Sequence, residues 1–250
     1  MRTLTQVWVF FVTLIFLFLL LGFQLAGRVG LLFAFLVSLF IVYATLHRGV
    51  RLFRKKMNAQ VFSGNDATGF LTEIHSNKLR FGLRKINVYK TELNTPPLVW
   101  KSKSDEGHLI LNVNLLDNLS PEEIKLLSLF LLAHLENRSF LITPILSVIS
   151  QIFFTFNIFS IIISIIVTSL FKTKREIFKS DARFKKLAEV SDYELGFFIN
   201  KLHYFDFNQN KKQIGTEYFS VLSFRNKNLL NQYGIPKLKL RLEKIMGFAI

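Results

Sequence analysis

Two long apolar runs open the chain. Residues 7–25 are apolar except for Thr13, Gly22 and Gln24, and polar residues interrupt residues 29–46 only at Ser38 and Thr45. At about 1.5 Å per residue, a helix of either length would be roughly 27–29 Å long, close to the ~30 Å hydrocarbon thickness of a bilayer. Since the link between the runs is very short, the pattern predicts two transmembrane helices joined as a tight hairpin.

A cleaved signal peptide is the competing interpretation of the first run. It fits poorly, because the run is long, a second span follows at once, and no small-residue cleavage site precedes a polar mature region. We therefore expect both runs to stay in the membrane.

A third apolar stretch covers residues 140–171. A single straight helix of that length would be roughly 48 Å long, well over the thickness of a bilayer. Lysines and arginines follow this stretch directly, as they follow the second run. A returning hairpin, or a re-entrant pair bent near residues 151–157, keeps both basic segments on one side of the membrane, whereas a single crossing does not. We expect the hairpin, with full crossing left open.

Charge predicts the orientation in the membrane. The chain has 250 residues, 50% of them hydrophobic, and its 32 Lys and Arg outnumber 17 Asp and Glu, for a formal net charge of +15. Basic residues cluster after the second run, so the positive-inside tendency places the following polar part on the cytoplasmic side, against anionic headgroups. Nucleic-acid binding is the competing account of the charge. It is disfavoured because the densest basic runs adjoin apolar segments.

Composition also excludes some chemistry. The chain has no cysteine, which excludes a disulfide scaffold, a cysteine nucleophile and a thiolate metal site. No glycine-rich phosphate loop and no Ser/His/Asp arrangement is found either. A positive mean hydropathy beside a strong positive charge favours a membrane protein with basic aqueous parts over a cytosolic enzyme.

The polar segment predicts a mixed fold of short strands and helices. Residues 85–89 and 108–116 have strand patterns, and residues 96–97 and 104–107 have loop composition. Farther along, the C-terminal third has apolar residues at steps of three and four, as expected for amphipathic helices that pack on the rest of the domain.

A strong helix start follows the second predicted strand. Ser120 suits the N-cap, Pro121 the first helical position, and Glu123 the N3 position of a capping box. The helix continues through Leu135 and is apolar nearly all round, so we expect it to be buried.

From here the order of segments resembles the HtpX-like membrane zinc metallopeptidases, relatives of the CAAX-prenyl proteases. The resemblance rests on two N-terminal spans, a short α+β segment, Leu-Ser-Pro-Glu-Glu at a helix start, Ala-His-Leu-Glu-Asn-Arg at residues 133–138, an apolar hairpin and Arg175-Glu176. A closing Pro236-x4-Arg241 is also similar to the family pattern. The resemblance covers the chain from about residue 50 to its end, and implies a zincin-like domain on the cytoplasmic face of a prokaryotic inner membrane.

The zinc motif of that family, H-E-x-x-H, is absent. Two histidines four residues apart hold zinc from one helix face, and the glutamate acts as general base. Here Phe130 and Leu131 stand at the first histidine and the glutamate, while His134 matches the second histidine. Phenylalanine has no lone pair for a metal, and leucine cannot accept a proton.

The resemblance leaves two registers for the third ligand. Anchoring on Arg175-Glu176 keeps Glu176 as the ligand, whereas anchoring on Asp181 puts Ile177 there and preserves more of the pattern. The residual metal candidates are thus His134 and Glu176. A positioned acid–base group contributes about 10²–10⁴-fold, and zinc lowers the pKa of bound water from about 15.7 to about 7. Losing both would remove nearly all hydrolysis at neutral pH.

His134 has a structural and a functional interpretation. The structural one is a buried histidine that donates to a backbone carbonyl. The functional one is a rebuilt metal site, in which His134 joins Glu176, Asp181, His108 or His203, although no pair among them has the spacing of helix-facing ligands.

We predict an α+β, predominantly α-helical integral membrane protein. Residues 1–56 would be two transmembrane helices with a basic juxtamembrane segment, and residues 57–139 a zincin-like α+β segment with a degenerate active-site helix. Residues 140–171 would be the second hairpin, and residues 172–250 the helical C-terminal part of the domain.

The leading functional hypothesis is a catalytically inactive pseudopeptidase that needs no cofactor. It would bind or regulate proteins, or serve membrane-protein quality control, with the bilayer, unfolded membrane polypeptides or an active protease as partners and no nucleic acid. A polypeptide would add as a strand along His108, Leu109, Ile110, Leu111 and Asn112. The enzyme alternative is an active zinc metalloendopeptidase with displaced ligands, and a third hypothesis is a membrane assembly protein that binds no peptide.

Overall fold

A computed structural model describes residues 2–64, 66–103, 105–137, 173–205, 220, 222 and 238–247. The predicted second apolar hairpin, residues 140–171, lies outside the described residues, as does Arg138.

The two N-terminal apolar runs form helix α1, Arg2–Lys56, which is broken at Ala26 and Gly27. Gly27 has a φ of 57°, in the left-handed region that glycine adopts at little steric cost. A Cβ added at Gly22 would overlap the carbonyl oxygen of Gly30 and lie 2.6 Å from Cβ of Ala34. A straight helix would separate Gly22 from Gly30 by about 12 Å, so the chain turns back at the break and small residues let the two segments touch.

One stretch among the described residues, Ile15–Phe40, is long and apolar enough to cross a membrane. It straddles the break in α1, so it is folded as two shorter segments rather than as one straight span. Its large side chains point outward, with Leu25 86% and Val29 76% exposed. An apolar surface of this kind suits a lipid environment better than water.

Helices and a small sheet follow α1. Their order is Gln60–Val61 (β1), Phe70–Asn77 (α2), a 3-10 turn Lys78–Phe81, Lys85–Thr91 (β2), Leu98–Lys103 (β3), Glu106–Asn112 (β4), Val113–Asp117 (α3) and Pro121–Asn137 (α4). Within the described residues the strand order is β1-β2-β4-β3. Strand β4 pairs in parallel with β2 and antiparallel with β3.

The strand predicted at residues 85–89 is confirmed and extends to Thr91. The strand predicted at residues 108–116 is wrong at its end, because Asn112 accepts a hydrogen bond from the backbone N–H of Asn114 (2.9 Å) and starts α3. The loop predicted at residues 104–107 is too long, since β4 begins at Glu106.

The predicted capping box at the start of α4 is confirmed. The backbone N–H of Ser120 donates to Glu123 Oε2 (2.8 Å), and the backbone N–H of Glu123 donates to Ser120 Oγ (3.3 Å). Helix α4 packs against α2 and against the later helix Thr173–Ala188 (α5). Helices Asp192–Tyr204 (α6) and Leu238–Met246 (α7) complete this layer.

The sheet has an apolar layer on each face. Val99 and Leu109 lie on one face and belong to the same core as Phe130 of α4. Trp100 and Ile110 lie on the other face, where they pack with Phe53 and Met57 near the end of α1. The sheet therefore joins the apolar N-terminal helix to the helical layer that carries the candidate site.

Candidate functional site

Helix α4 places Phe130 and His134 on one face, because residues four apart lie one turn above each other. The Phe130 ring meets Phe184 of α5 edge to face at 5.3 Å between centroids, and Phe198 of α6 at 6.4 Å. Phe130, Leu131 and His134 are all fully buried. Phe130 is thus surrounded by aromatic side chains at the position where the sequence resemblance would place a zinc-binding histidine.

Both ring nitrogens of His134 face protein groups. Its Nδ1 lies 2.8 Å from the backbone oxygen of Phe130. A carbonyl can only accept, so Nδ1 carries a proton. Its Nε2 lies 3.5 Å from Nη2 of Arg241 and 3.4 Å from Oδ1 of Asp181. Metal binding requires an imidazole lone pair aimed at the ion, and Nε2, the nitrogen that could supply it, points into this charged pair.

Asp181 and Arg241 are brought together by α5 and α7. Arg241 donates from Nε to Oδ2 (2.9 Å) and from Nη2 to Oδ1 (2.6 Å). Each residue is only 2% exposed. The guanidinium carbon also lies 5.6 Å from the centroid of the Phe130 ring, a favourable cation–π distance. The Asp181 carboxylate is therefore already occupied by a guanidinium, and Nε2 of His134 faces a closed ion pair rather than an open ligand position.

Of the other predicted ligands, Asp181 lies beside His134, but both of its carboxylate oxygens accept hydrogen bonds from Arg241. Ile177, which takes the ligand position in one register, is buried and apolar, and the Glu176 side chain lies outside the described part of the structure. His108 lies on the sheet face away from α4. Within the described part of the chain, no three His, Cys, Asp or Glu side chains are grouped to hold a metal ion.

Sequence reasoning missed the pairing of Asp181 with Arg241. Both residues were matched separately to the family pattern, but 60 positions separate them. No local pattern reports a contact between helices so far apart in the chain.

The strand predicted to bind a polypeptide has no open edge. Strand β4 pairs with β2 from Glu106 to Asn112, and with β3 on its other side. Strand addition along His108, Leu109, Ile110, Leu111 and Asn112 is therefore wrong, because the sheet already occupies both edges. The sequence could not show this, since β4 inserts between β2 and β3, which precede it in the chain.

His108 belongs to a polar cluster on the face of the sheet that carries Trp100. Its Nε2 lies 2.9 Å from Ser102 Oγ, which donates to Glu106 Oε2 at 2.9 Å. Asn87 Nδ2 donates to Glu106 Oε1, also at 2.9 Å. Burial raises the pKa of Glu106, but the hydrogen bonds from Ser102 and Asn87 outweigh it and lower that pKa overall.

This cluster does not have the hydrogen-bond directions of a serine hydrolase. Ser102 gives its proton to the carboxylate, so Nε2–H of His108 donates to Ser102 and is not a base for it. Burial lowers the pKa of His108 to about 4, which keeps the ring neutral. The rings of Tyr89 and Trp100 stack on it at 6.1 and 5.1 Å between centroids.

A groove of about 730 Å³ lies where the start of α4, the end of α5 and the start of α6 meet. Its apolar side includes Tyr193 and Phe197, which are 68% and 61% exposed. Among the described residues that line it, two are basic and four are acidic: Arg80, Lys125, Glu122, Glu123, Glu189 and Glu194. Glu123 is paired with Lys201 at 2.6 Å, so the described lining keeps a small acidic excess, in a chain whose net charge is +15.

A second cavity, of about 1000 Å³, lies at the end of α1. Its charged lining is mainly basic, with Arg54, Lys55 and Lys90 against Glu92.

No family model matches the chain, and no curated protein matches it. Among solved structures, the crystal structure of S. mikatae Ste24p is similar, at 16% sequence identity and a TM-score of 0.46. The match covers 98% of this chain and 64% of that one, so this chain spans less than two thirds of its length.

Proposed function

We propose that this chain is a membrane-anchored, non-hydrolytic relative of the HtpX-like metallopeptidases, which binds polypeptides without cutting them. One observation carries the proposal: Nε2 of His134 faces the buried Asp181–Arg241 pair, while its Nδ1 donates within α4. The residues at this position do not fit zinc, because a phenylalanine and a leucine replace two groups that zinc hydrolysis requires.

The surroundings of Phe130 support the same conclusion. Its ring contacts Phe184 and Phe198 and carries the Arg241 guanidinium on its face. A water-activating centre needs an open position for water or substrate. Here that space is filled by packed side chains, so the helix contributes to stability rather than to chemistry.

The apolar N-terminal segments would anchor the protein. The exposed apolar side chains of α1 and the basic residues after it favour insertion, with the remaining domain on the cytoplasmic side of a prokaryotic inner membrane. Residues 140–171 would return to the same membrane as a second hairpin.

The acidic groove is the face that we propose for the partner polypeptide. Helix α4 is about 25 Å long, and its C-terminal end leads into the apolar residues 140–171. The groove lies at the N-terminal end of α4, about 25 Å from the proposed membrane segment, and therefore faces water. Exposed aromatic side chains on an aqueous face mark interaction sites. Because acidic side chains outnumber basic ones there, the occupant that fits is a cationic segment with an aromatic or aliphatic anchor.

Proteolysis and metal content test the first part. Purified full-length protein would be incubated with unfolded membrane polypeptides and zinc, with and without chelator, and its metal measured by elemental analysis. We expect no cleavage and no stoichiometric metal. Chelator-sensitive cleavage with about one zinc per chain would overturn the proposal in favour of a peptidase with displaced ligands.

Peptide binding tests the groove separately. A basic amphipathic peptide would be titrated by fluorescence anisotropy against the full-length protein, Phe197→Ser and Tyr204→Ser. Tyr204 is the matched control, since it is exposed on the same helix but does not line the groove. We expect Phe197→Ser alone to weaken binding by about tenfold or more. Equal binding by all three proteins would reject the groove and leave the inactivity standing.

A further inference from the structure

The cavity at the end of α1 combines positive charge with neutral donors. Arg54, Lys55 and Lys90 line it, as do Asn58 and Asn114, while Glu92 is the single carboxylate among the described lining residues. Three positive side chains and one negative side chain give these lining residues a net positive charge, which favours an anion as ligand.

Arg54 is held rigidly at this cavity. Its Nη1 donates to the Tyr89 hydroxyl at 3.0 Å, and its guanidinium lies over the Tyr89 ring, 5.1 Å from the centroid. Tyr89 is itself stacked parallel to Trp100 at 6.5 Å. Fixing a guanidinium in place reduces the entropy lost when it binds a ligand.

The Nε of Arg54 is buried without a hydrogen-bond partner in the described structure. A buried donor left unsatisfied costs about 1–3 kcal/mol, so such a group needs an explanation. Arg54 therefore keeps one guanidinium donor unsatisfied beside the cavity that it lines.

The C-terminal end of α1 repels an anion less than a free helix end would. The last carbonyls of a helix are normally unpaired and carry partial negative charge. Here the carbonyls of Phe53, Arg54 and Lys55 accept backbone N–H groups that follow the helix, at 3.0 to 3.2 Å. Asn58 makes this possible with a φ of 45°, a left-handed conformation that asparagine tolerates.

We infer that this cavity binds a phosphate group through Arg54, Lys55 and Lys90. Arg54 lies eight positions beyond the second apolar run, about 12 Å along the helix. A headgroup layer is about 5–8 Å deep, so the cavity would lie a few Å outside it, within reach of long Arg and Lys side chains that extend toward the membrane surface. The phosphate of an anionic lipid headgroup is one source, and this source rests on the proposed membrane location. A free phosphate is the other source, and the anion site itself does not depend on the membrane.

Ligand-dependent thermal unfolding of the full-length protein in detergent tests the site. A ligand that binds only the folded state raises the unfolding temperature according to its concentration relative to Kd. The probes are short-chain phosphatidic acid, short-chain phosphatidylcholine and inorganic phosphate. The variants are Lys55→Gln/Lys90→Gln and the charge-matched control Lys85→Gln/Lys186→Gln, whose lysines do not line the cavity.

We expect phosphatidic acid to stabilise the wild type and the control variant, with a Kd at least tenfold higher in Lys55→Gln/Lys90→Gln. Phosphatidylcholine should have no effect. If inorganic phosphate raises the unfolding temperature as much as phosphatidic acid does, the anion site is supported and its ligand is a soluble phosphate. The inference is overturned if neither phosphatidic acid nor inorganic phosphate raises the unfolding temperature, or if Lys55→Gln/Lys90→Gln responds as the control variant does. Neither result bears on whether α4 supports hydrolysis.

Discussion

Arg241 and Asp181 form a buried ion pair with two hydrogen bonds, Nε to Oδ2 at 2.9 Å and Nη2 to Oδ1 at 2.6 Å. The pair joins α7 to α5 and lies against the imidazole of His134. It thereby makes this part of α4 a packed junction of three helices.

The first prediction concerns this pair. Arg241→Leu should lower the free energy of unfolding by roughly 3–5 kcal/mol, because it leaves the Asp181 carboxylate buried and unpaired. Replacing both residues with leucine should cost less than the sum of the single changes. Denaturant unfolding in detergent measures this.

Arg183→Leu is the control for that experiment. Arg183 pairs with Glu136 at 3.2 Å, but both side chains are about one third exposed, so its loss should cost less than about 1 kcal/mol. If Arg241→Leu cost no more than Arg183→Leu, the buried pair would not have the structural role inferred for it.

The second prediction is that Phe130→His/Leu131→Glu will not gain zinc. Nε2 of His134 would still face the Asp181–Arg241 pair, whose carboxylate is already bound by the guanidinium, so no open position for zinc would be available. The variant should also lose several kcal/mol of stability, because polar groups enter a packed aromatic core. Elemental analysis measures the zinc content of this variant, and one zinc per chain would contradict the prediction. Comparing its unfolding with that of Phe130→Leu separates the effect of lost packing from the effect of added polarity.

The third prediction concerns pH. The pKa of His108 is lowered to about 4, chiefly by burial, against 6.5 for the free side chain. Between these values the unfolded chain binds more protons than the folded one, so stability falls as pH falls from about 6.5 toward 4. The full effect is roughly 3 kcal/mol.

Unfolding measured at pH 7 and at pH 5 tests this. The charged neighbours of His108 are Glu106, Arg54 and Lys85, and the pKa of Glu106 is below its usual 4.5, so these groups keep their charge over this range. His108→Gln should reduce the loss of stability between the two pH values. The exposed His75→Gln should change it much less, and equal slopes in both variants would refute the assignment.

The fourth prediction concerns the turn in α1. Gly22→Val should destabilise the protein by roughly 1–3 kcal/mol, because the new side chain would overlap Gly30 and Ala34. Leu25→Val is a contrasting variant, since the Leu25 side chain is 86% exposed. It should change stability by less than about 1 kcal/mol, because an exposed side chain of α1 has little packing to lose. Thermal unfolding in detergent compares the two variants, and equal tolerance of both changes would argue against close contact of the two segments.

Local chemistry accounts for the features that were predicted correctly. Ser120, Pro121 and Glu123 encode the start of α4 within four residues, and the alternation in residues 85–89 encodes β2. The apolar character of α4 likewise predicted that Leu127, Leu131 and Leu135 would be buried. Each of these signals depends on neighbours in the chain.

The two incorrect predictions for the strand at residues 108–116 have different causes, one long-range and one local. The strand pattern at residues 108–112 was visible, but its place between β2 and β3 depends on the order in which strands pair. The strand ends locally, where Asn112 Oδ1 accepts a hydrogen bond from the backbone N–H of Asn114, although apolar alternation alone favoured continuation.

By itself, the sequence determined what the candidate site lacks: no fold can give Phe130 a metal-binding lone pair or Leu131 a proton-accepting group. It also determined the apolar runs and the start of α4, because composition and short-range spacing encode them. Only the tertiary structure decided what His134 faces, since α5 and α7 bring Asp181 and Arg241 together across 60 positions. The physical reason is that a buried charge is stable only beside its partner, and packing of the helices selects that partner.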